Sequence, residues 1–565
     1  MRPTTIALAV LASVLGGRPL APSGATAADT LPELTVDAIR AGIAARKFTC
    51  EQVTEMHLAR IYRYDVDPTS GEPPLNAVIT INPHARQIAR ELDAYYAKHG
   101  FKGPLHCAPL LLKDLYDTFD HTTTAGSLSM LGSQPPDDAF TVARLRKAGA
   151  VVLGKTTMTE FAYFTASFNS RTLRVGDSYD SRKDAGGSSG GTGSAIGASF
   201  AVLGTGSDTC ASIRLPSSNH SLVGIRSSVG LVSQDGLVPL SHSQDVAGPM
   251  TRTVRDAVLM LDAMAGRDPA DAKTLDPQAK RPVSYVPFLR ANGLAGKRIG
   301  VLRSYGSTNA FGSDPQVIGI VEHAVAEMKK LGATIVDPVV LPDFQSISVI
   351  VQEFQPQIDE YLASFDAPRK NLLEIIASGR VHPVIQALLV LSVASADTTS
   401  PSYFQKLADR AAQRAYVEKQ MNRLGLDALV FPPVTAPPQE TGTSGSNCSF
   451  GSTTTGPSIV VPAGFTGDDP PLPVGIEIYG RKWDEPRLIE IAYGFEQGTH
   501  HRRPPRRFPS ILEDAGLPPM VIDEFNARKR AVQTVAGLAA EQNPEDLPAE
   551  AYVDVLGDTL GVPSP

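Results

Sequence analysis

Short continuous apolar runs alternate along this chain with stretches whose apolar residues recur every three or four positions. Thr35 to Ala45, Glu51 to Tyr64 and Pro83 to His99 carry the helical spacing, forming a helical N-terminal layer. Pro109-Leu-Leu-Leu, closed by Lys113-Asp114, reads instead as a buried strand, as does Val151 to Gly154. Helix Ala139 to Gly149 lies between them. The alternation continues with strand Leu222 to Ile225, helix Val254 to Ala265, strand Arg298 to Leu302, helix Asp314 to Leu331 and strand Thr334 to Val336. Strands Ala428 to Phe431, Ser458 to Val461 and Val474 to Tyr479 follow, then helix Glu485 to Gln497. Such interleaving predicts an α/β fold, a large mixed β-sheet core surrounded by helices. Residues 268–424 read as more helical and irregular, a cap-like region over one face. No repeat of solenoid period is present.

The balance of 52 basic and 59 acidic side chains, a net charge of −7, has no basic block. That excludes the electrostatic footprint of a duplex nucleic-acid binder. The N-terminus has Arg2, an apolar core from Ile6 to Leu15 and the small-x-small sequence Ala25-Thr26-Ala27. This is the pattern of a secretory signal peptide over residues 1–27, and it predicts a secreted or periplasmic protein. Its apolar run is about half of the roughly 20 residues a spanning helix needs, and no other segment reaches that length. Four cysteines, Cys50, Cys107, Cys210 and Cys448, lack zinc-ligand spacing. They admit up to two disulfides in three full pairings, or free buried thiols. Residues 28–509 read as one catalytic domain, and 510–565 as an acidic C-terminal extension with no assigned chemistry.

The stretch most apt for chemistry is Asp184-Ala-Gly-Gly-Ser-Ser-Gly-Gly-Thr-Gly-Ser194, followed by Gly204-Thr-Gly-Ser-Asp-Thr-Cys-Ala-Ser212-Ile-Arg-Leu-Pro216. Glycines let the backbone approach a ligand, consecutive N–H groups converge into anion nests, and the hydroxyls between them are candidate nucleophiles. A flexible linker would not run at once into apolar helix- and strand-forming segments. A P-loop needs Lys-Ser or Lys-Thr after its glycines, which is missing, and no strand leads into the loosely dinucleotide-like Gly191 to Gly197. Gly187-Ser-Ser189-Gly-Gly191 matches GxSxG, but the polar Tyr179 to Ala185 stands where an elbow requires a strand. A Ser-His-Asp α/β-hydrolase using Ser189 is therefore the alternative reading. A serine is also activated by a lysine that burial has made neutral, and Lys113 ends an apolar run.

Together these segments resemble the amidase signature family. Gly186-Gly-Ser-Ser-Gly-Gly191 and Gly206-Ser-Asp-Thr-Cys-Ala-Ser-Ile-Arg-Leu-Pro216 resemble its Gly/Ser core. Val223 to Ser233, Val238-Pro-Leu and Asp245-Val-Ala-Gly-Pro-Met continue it. Gly103 to Asp114 resembles its lysine segment, and Val461-Pro-Ala-Gly, Leu472 to Arg481 and Phe495-Glu-Gln its C-terminal part. The resemblance runs from about Leu34 to Pro504.

It implies the amidase signature fold and an acyl-enzyme mechanism without metal or organic cofactor. Carried over residue by residue, Ser212 is the nucleophile, Ser188 the bridging serine after a cis peptide bond, and Lys113 the neutral base. Ser189 is the adjacent alternative to Ser188. The backbone N–H groups of Thr209, Cys210, Ala211 and Ser212 form the oxyanion hole, while Asp208 and Arg214 hold the loop. Two departures stand out: Cys210-Ala211 replaces a common Gly-Gly pair, and Cys107 stands where glycine is common. The implied activity is hydrolysis of a small linear amide, with aryl amides, peptide C-terminal amides and carbamates admissible and esters a side activity. An inactive binding relative is the non-enzymatic alternative. Combined with the signal peptide, the resemblance predicts an exported amidase with no amidotransferase partners, no nucleic-acid partner and no stable membrane span.

Overall fold

The computed structural model describes residues 33–65, 73–440, 442–508, 520–527 and 529. The signal-peptide pattern of residues 1–27 lies outside the described residues, as does most of the C-terminal extension.

The N-terminal layer consists of α1 (Val36–Ala44), α2 (Cys50–Tyr64) and α3 (Ala85–His99). Helix α2 starts where a capping box sets it: Gln52 N donates to Thr49 Oγ1 at 3.1 Å and Thr49 N to Gln52 Oε1 at 2.9 Å. The sheet begins with β1 (Val78–Ile81), β2 (Pro109–Lys113) and β3 (Val151–Thr156), with α4 (Phe140–Lys147) leading into β3. Next come α5 (Gly190–Gly197), β4 (Leu203–Ser207), α6 (Arg214–Asn219), β5 (Val223–Arg226), β6 (Ala247–Thr251) and α7 (Val254–Met264). The strands β7 (Arg298–Tyr305), β8 (Thr308–Asn309) and β9 (Thr334–Leu341) enclose α8 (Pro315–Lys330). Four helices follow: α9 (Ile350–Ala363), α10 (Leu372–Ala377), α11 (Pro383–Ser395) and α12 (Pro401–Arg423). The chain then returns through β10 (Ala428–Phe431), α13 (Cys448–Thr454), β11 (Ser458–Phe465), β12 (Pro473–Tyr479) and α14 (Glu485–Thr499).

Eleven strands form one path, β1-β3-β2-β4-β6-β5-β11-β12-β10-β7-β8, and β9 pairs in parallel with β7. The sheet is mixed: β2 runs parallel to both β3 and β4, whereas β4–β6, β6–β5, β5–β11 and β11–β12 are antiparallel. The fold class expected from the sequence is the observed one. Strand β2 is buried along its whole length between two parallel neighbours, which is why it reads as an unbroken apolar run. Strand β9 is longer than its sequence suggested, continuing through Asp337-Pro338. Among the described residues it pairs only with β7, and an outer strand tolerates a proline.

Residues 268–424 divide in two. Residues 298–341 build one end of the sheet, and α9 to α12 form the helical remainder. At the opposite end, part of the C-terminal extension covers β1. Met520, Ile522 and Phe525 are buried, and the Asn526 side chain accepts from Ile81 N at 2.9 Å and donates to Ile81 O at 3.1 Å. It thereby substitutes for a neighbouring strand on an otherwise open edge.

Candidate active site

Lys113 closes β2 and is fully buried. Its backbone N–H donates to Thr205 Oγ1 at 2.9 Å, and its Nζ to Ser188 Oγ at 2.7 Å and Ser207 Oγ at 2.8 Å. Among the described residues no carboxylate forms an ion pair with it. Burial pushes its ammonium down to about 7 from 10.5, and Asp208 and Asp245 offset this only in part. The family motifs do not mark Ser207, although strand alternation does. Thr205 and Ser207 lie two apart on β4, so both project from the same face of the sheet, and both hydroxyls meet Lys113.

Ser188 follows a cis Gly187–Ser188 peptide, at the position the family resemblance implies. The turn before it needs glycine. Gly186 has φ +75°, and a Cβ on Gly187 would lie 2.5 Å from Thr159 Oγ1 and 2.8 Å from the Ala166 carbonyl oxygen. The two adjacent serines have different partners. Ser188 Oγ meets Lys113, while Ser189 Oγ donates to the Ser207 carbonyl at 3.3 Å. Ser189 stands at the start of α5, not at the end of a strand, and among the described residues no histidine hydrogen-bonds Ser188, Ser189 or Ser212. His220, the histidine of this region, contacts Ser178 Oγ and the Ala185 carbonyl. The GxSxG reading therefore lacks both its strand and its base.

Ser212 lies in the loop between β4 and α6 and is 4% exposed. The Ser189 N–H donates to the Ser212 carbonyl at 3.3 Å, joining the two serine loops. Two carboxylates, buried Asp208 and half-buried Asp245, fix the ends of the loop. Asp208 accepts from Ile213 N at 3.1 Å, Arg214 Nε at 3.1 Å and Arg226 Nη1 at 2.7 Å. Arg214 Nη1 also reaches both oxygens of Glu477, at 3.0 and 3.1 Å. Burial alone would raise the Asp208 carboxyl, but Arg214 and Arg226 override it and hold it below the ordinary range. Asp245, which opens one of the family-like segments but has no role assigned from sequence, accepts from Thr209 Oγ1 at 2.5 Å and from the Leu240 and Ser241 N–H groups at 2.9 Å.

Between these anchors the N–H groups of Thr209, Cys210, Ala211 and Ser212 donate to no acceptor among the described residues. Four consecutive donors are left open in a loop whose residues are all at least nine-tenths buried. Since buried N–H groups are rarely left unpaired, such a run marks a place built to receive an acceptor.

All four cysteines are paired, Cys50 with Cys107 and Cys210 with Cys448. Of the three positions that depart from the glycine pattern, Cys107 and Cys210 are thus half-cystines. Cys107, at φ +65°, precedes the lysine strand, and Cys210 lies inside the serine loop. A thiol nucleophile at Cys210 is excluded in this form.

A strand-end lysine bonded to Ser188, a second serine loop joined to the first and a run of open N–H groups make up the candidate site. The amidase family model matches residues 53–489, and the chain belongs to that family. A peptide amidase from Stenotrophomonas maltophilia superposes with a TM-score of 0.78 at 35% identity, covering 84% of this chain and 98% of that one. A probable amidase from Arabidopsis thaliana is 33% identical over 84% of this chain and 92% of its own length. One component of the glutamyl-tRNA(Gln) amidotransferase of Pseudomonas syringae pv. syringae is also 33% identical, over 84% of this chain and its whole length.

That last relative overturns the expectation about partners. A protein named as one component of a tRNA-linked enzyme aligns end to end at the same identity as a probable amidase. Overall similarity therefore does not separate the two kinds, and an N-terminal signal-peptide pattern says nothing about the surfaces of the domain that follows it.

Proposed function

We propose that this protein is an exported hydrolase of linear carboxamides, converting R–CO–NHR′ and water to an acid and an amine. The observation that carries the reading is Lys113: buried, without a carboxylate partner among the described residues and hydrogen-bonded to the Ser188 hydroxyl. A neutral lysine accepts the Ser188 proton while Ser188 takes the proton of Ser212, whose Oγ bonds to the amide carbon. The open N–H groups of Thr209 to Ser212 receive the oxyanion, a kind of contact worth about 3 kcal/mol per donor. As the C–N bond breaks, the relay returns the proton to the departing nitrogen. Water then cleaves the Ser212 ester by the same steps in reverse.

Export is supported by the residue 1–27 pattern and by the pairing of every cysteine, since disulfides persist in oxidising compartments. The likeness to a peptide amidase makes a peptide C-terminal amide the first substrate to test.

The test joins labelling to turnover. A fluorophosphonate is expected to add once to the wild type, on the Ser212 peptide, with no adduct on Ser212→Ala. Amine release from a peptide amide should vanish in the same variant. An adduct on Ser189, or undiminished turnover by Ser212→Ala, would refute the assignment. Intact mass of the mature protein tests cleavage after Ala27.

A further inference from the structure

The serine loop is pinned at both ends by carboxylates, yet its middle is not. Neither the N–H nor the carbonyl of Cys210 hydrogen-bonds any described residue, and Ala211 is held only through its carbonyl, which accepts from Leu215 N at 2.8 Å. What holds the middle is covalent, the disulfide from Cys210 to Cys448, the first residue of α13 and 238 positions away in sequence. Cys210, Ala211, Leu215, Val434 and Cys448 close around it as a small apolar cluster apart from the main core.

The far end of this tether is a fixed point. Just before α13, Asn447 accepts from Tyr305 Oη at 2.9 Å and donates to the carbonyls of Ala310 and Pro432, both at 2.7 Å. Phe450 packs against Tyr305, Phe431 and Tyr479 with ring centroids 4.9 to 5.5 Å apart. From α12, Arg410 donates to the Ser452 carbonyl at 2.7 Å and Arg414 to Thr455 Oγ1 at 3.0 Å. Gly451 lies against the guanidinium of Arg214, where a Cβ would come within 2.8 Å of Nη2. Helix α13 is thus immobilised by the sheet, by α12 and by the arginine that also orients the start of α6.

We infer that the Cys210–Cys448 disulfide is a positioning element for the reaction, holding the Cys210 and Ala211 N–H groups in the one arrangement that receives the oxyanion. This rests on the Ser212 mechanism proposed above. Donors that must lie about 2.7 to 3.1 Å from a developing oxyanion tolerate little wandering, and in a loop centre whose hydrogen bonding to described residues is limited to the Ala211 carbonyl, this link is the main restraint on Cys210. The tether therefore acts on the transition state more than on substrate binding.

The test uses Cys448→Ala, which leaves every residue of the serine loop unchanged. Active sites are counted by fluorophosphonate labelling to completion, and kcat is expressed per labelled site. The expected result is a fall in kcat of about tenfold or more, below the 10²- to 10³-fold of a deleted donor, with KM within about threefold. Affinity for a trifluoromethyl ketone, whose adduct carries the oxyanion, should fall by the same factor as kcat/KM. Cys210→Ala and the double variant should match the single one, because all three break the same bond. A merely structural link would lower the labelled fraction or the melting temperature and leave kcat per labelled site unchanged; that result overturns the proposal. Should Cys448→Ala fail to fold, the folded wild type is reduced with a phosphine and alkylated, with Cys210 and Cys448 mapped by mass. The same loss per site is expected, and full retention overturns the proposal. Failure of the wild type to label at Ser212 would overturn the underlying mechanism instead, and this inference with it.

Discussion

Lys113, the base of the proposed mechanism, has a pH signature that follows from its surroundings. Its ammonium falls from 10.5 to about 7 because burial strips it of water and no described carboxylate pairs with it to replace the lost solvation. At about 1.4 kcal/mol per pH unit, that drop places the charged form about 5 kcal/mol higher than it stands in water. Catalysis needs the neutral amine, so kcat/KM should rise through a midpoint near 7 and level off above it. At pH 6 about one tenth of the molecules hold a neutral lysine and at pH 5 about one hundredth, a tenfold loss per unit. The assay is amine release from a peptide amide at constant ionic strength from about pH 5 to 9, beside the rate of fluorophosphonate labelling over the same range. Labelling involves no amide leaving group, so a shared midpoint reports the activation of Ser212 itself. Asp117 and Glu160 are also pushed up by burial to about 7. The variants Asp117→Asn and Glu160→Gln should therefore keep the midpoint, and Lys113→Ala should abolish the reaction. A profile still climbing at about pH 9 toward an ordinary lysine value, or one flat across the whole range, would refute a neutral Lys113 as the base.

The same lysine makes a stability prediction of fixed sign. Between about pH 7 and 10.5 the unfolded chain holds a proton on Lys113 that the folded chain lacks, so its contribution to stability improves with rising pH across that window and is fully unfavourable below it. Lys113→Met should thus gain most in melting temperature over the wild type below about pH 7, and the gain should shrink toward about pH 10; an unchanging difference counts against this. Ser207→Ala removes one of the two hydroxyls bonded to Lys113 Nζ and leaves a buried donor short of a partner, a cost of about 1 to 3 kcal/mol. It should lower kcat about tenfold with little change in KM, measured on a peptide amide. Asp208→Asn strips buried Arg226 of its ion-pair partner and leaves Arg214 with Glu477 alone, and should destabilise the fold by about 3 to 5 kcal/mol, read as loss of soluble protein or a large fall in melting temperature. Asn526→Ala opens the β1 edge, and hydrogen exchange at the Ile81 amide should accelerate while the Ser212 labelling rate stays as it was.

Legibility from sequence followed the kind of force involved. Strand β2 and helices α2, α8 and α14 were readable because burial imposes a period, and the period survives in the order of residues. Helix α5 was not, since Gly190-Gly-Thr-Gly-Ser-Ala-Ile-Gly has among the poorest intrinsic helix propensities a segment can have. It is helical because it is wholly buried, and because Gly191 lets the backbone run where a Cβ would lie 2.7 Å from the Ala77 carbonyl oxygen. Tertiary packing overrides propensity there, and no local pattern reports it.

The site divides along the same line. Lys113, Ser188 and Ser212 could be singled out because each sits in a contiguous segment that resembles a motif of the family, and the structure joins Lys113 to Ser188. Ser207 was within reach of a local argument, strand alternation from Thr205, that needs only the knowledge that β4 lies beside β2. Asp245 and Glu477 were out of reach. Their partners are Thr209, 36 positions away, and Arg214, 263 positions away, and nothing local to an acidic residue says which distant donor it meets. The cysteines show the limit most clearly. Four residues allow three full pairings, and the choice is made by which backbone segments the sheet brings within 5.2 and 4.7 Å between Cα atoms. Yet the sequence did mark where to look. Cys107 and Cys210 stand where the family commonly has glycine, beside the segments that carry Lys113 and Ser212, and each side chain there ties its segment to a distant one.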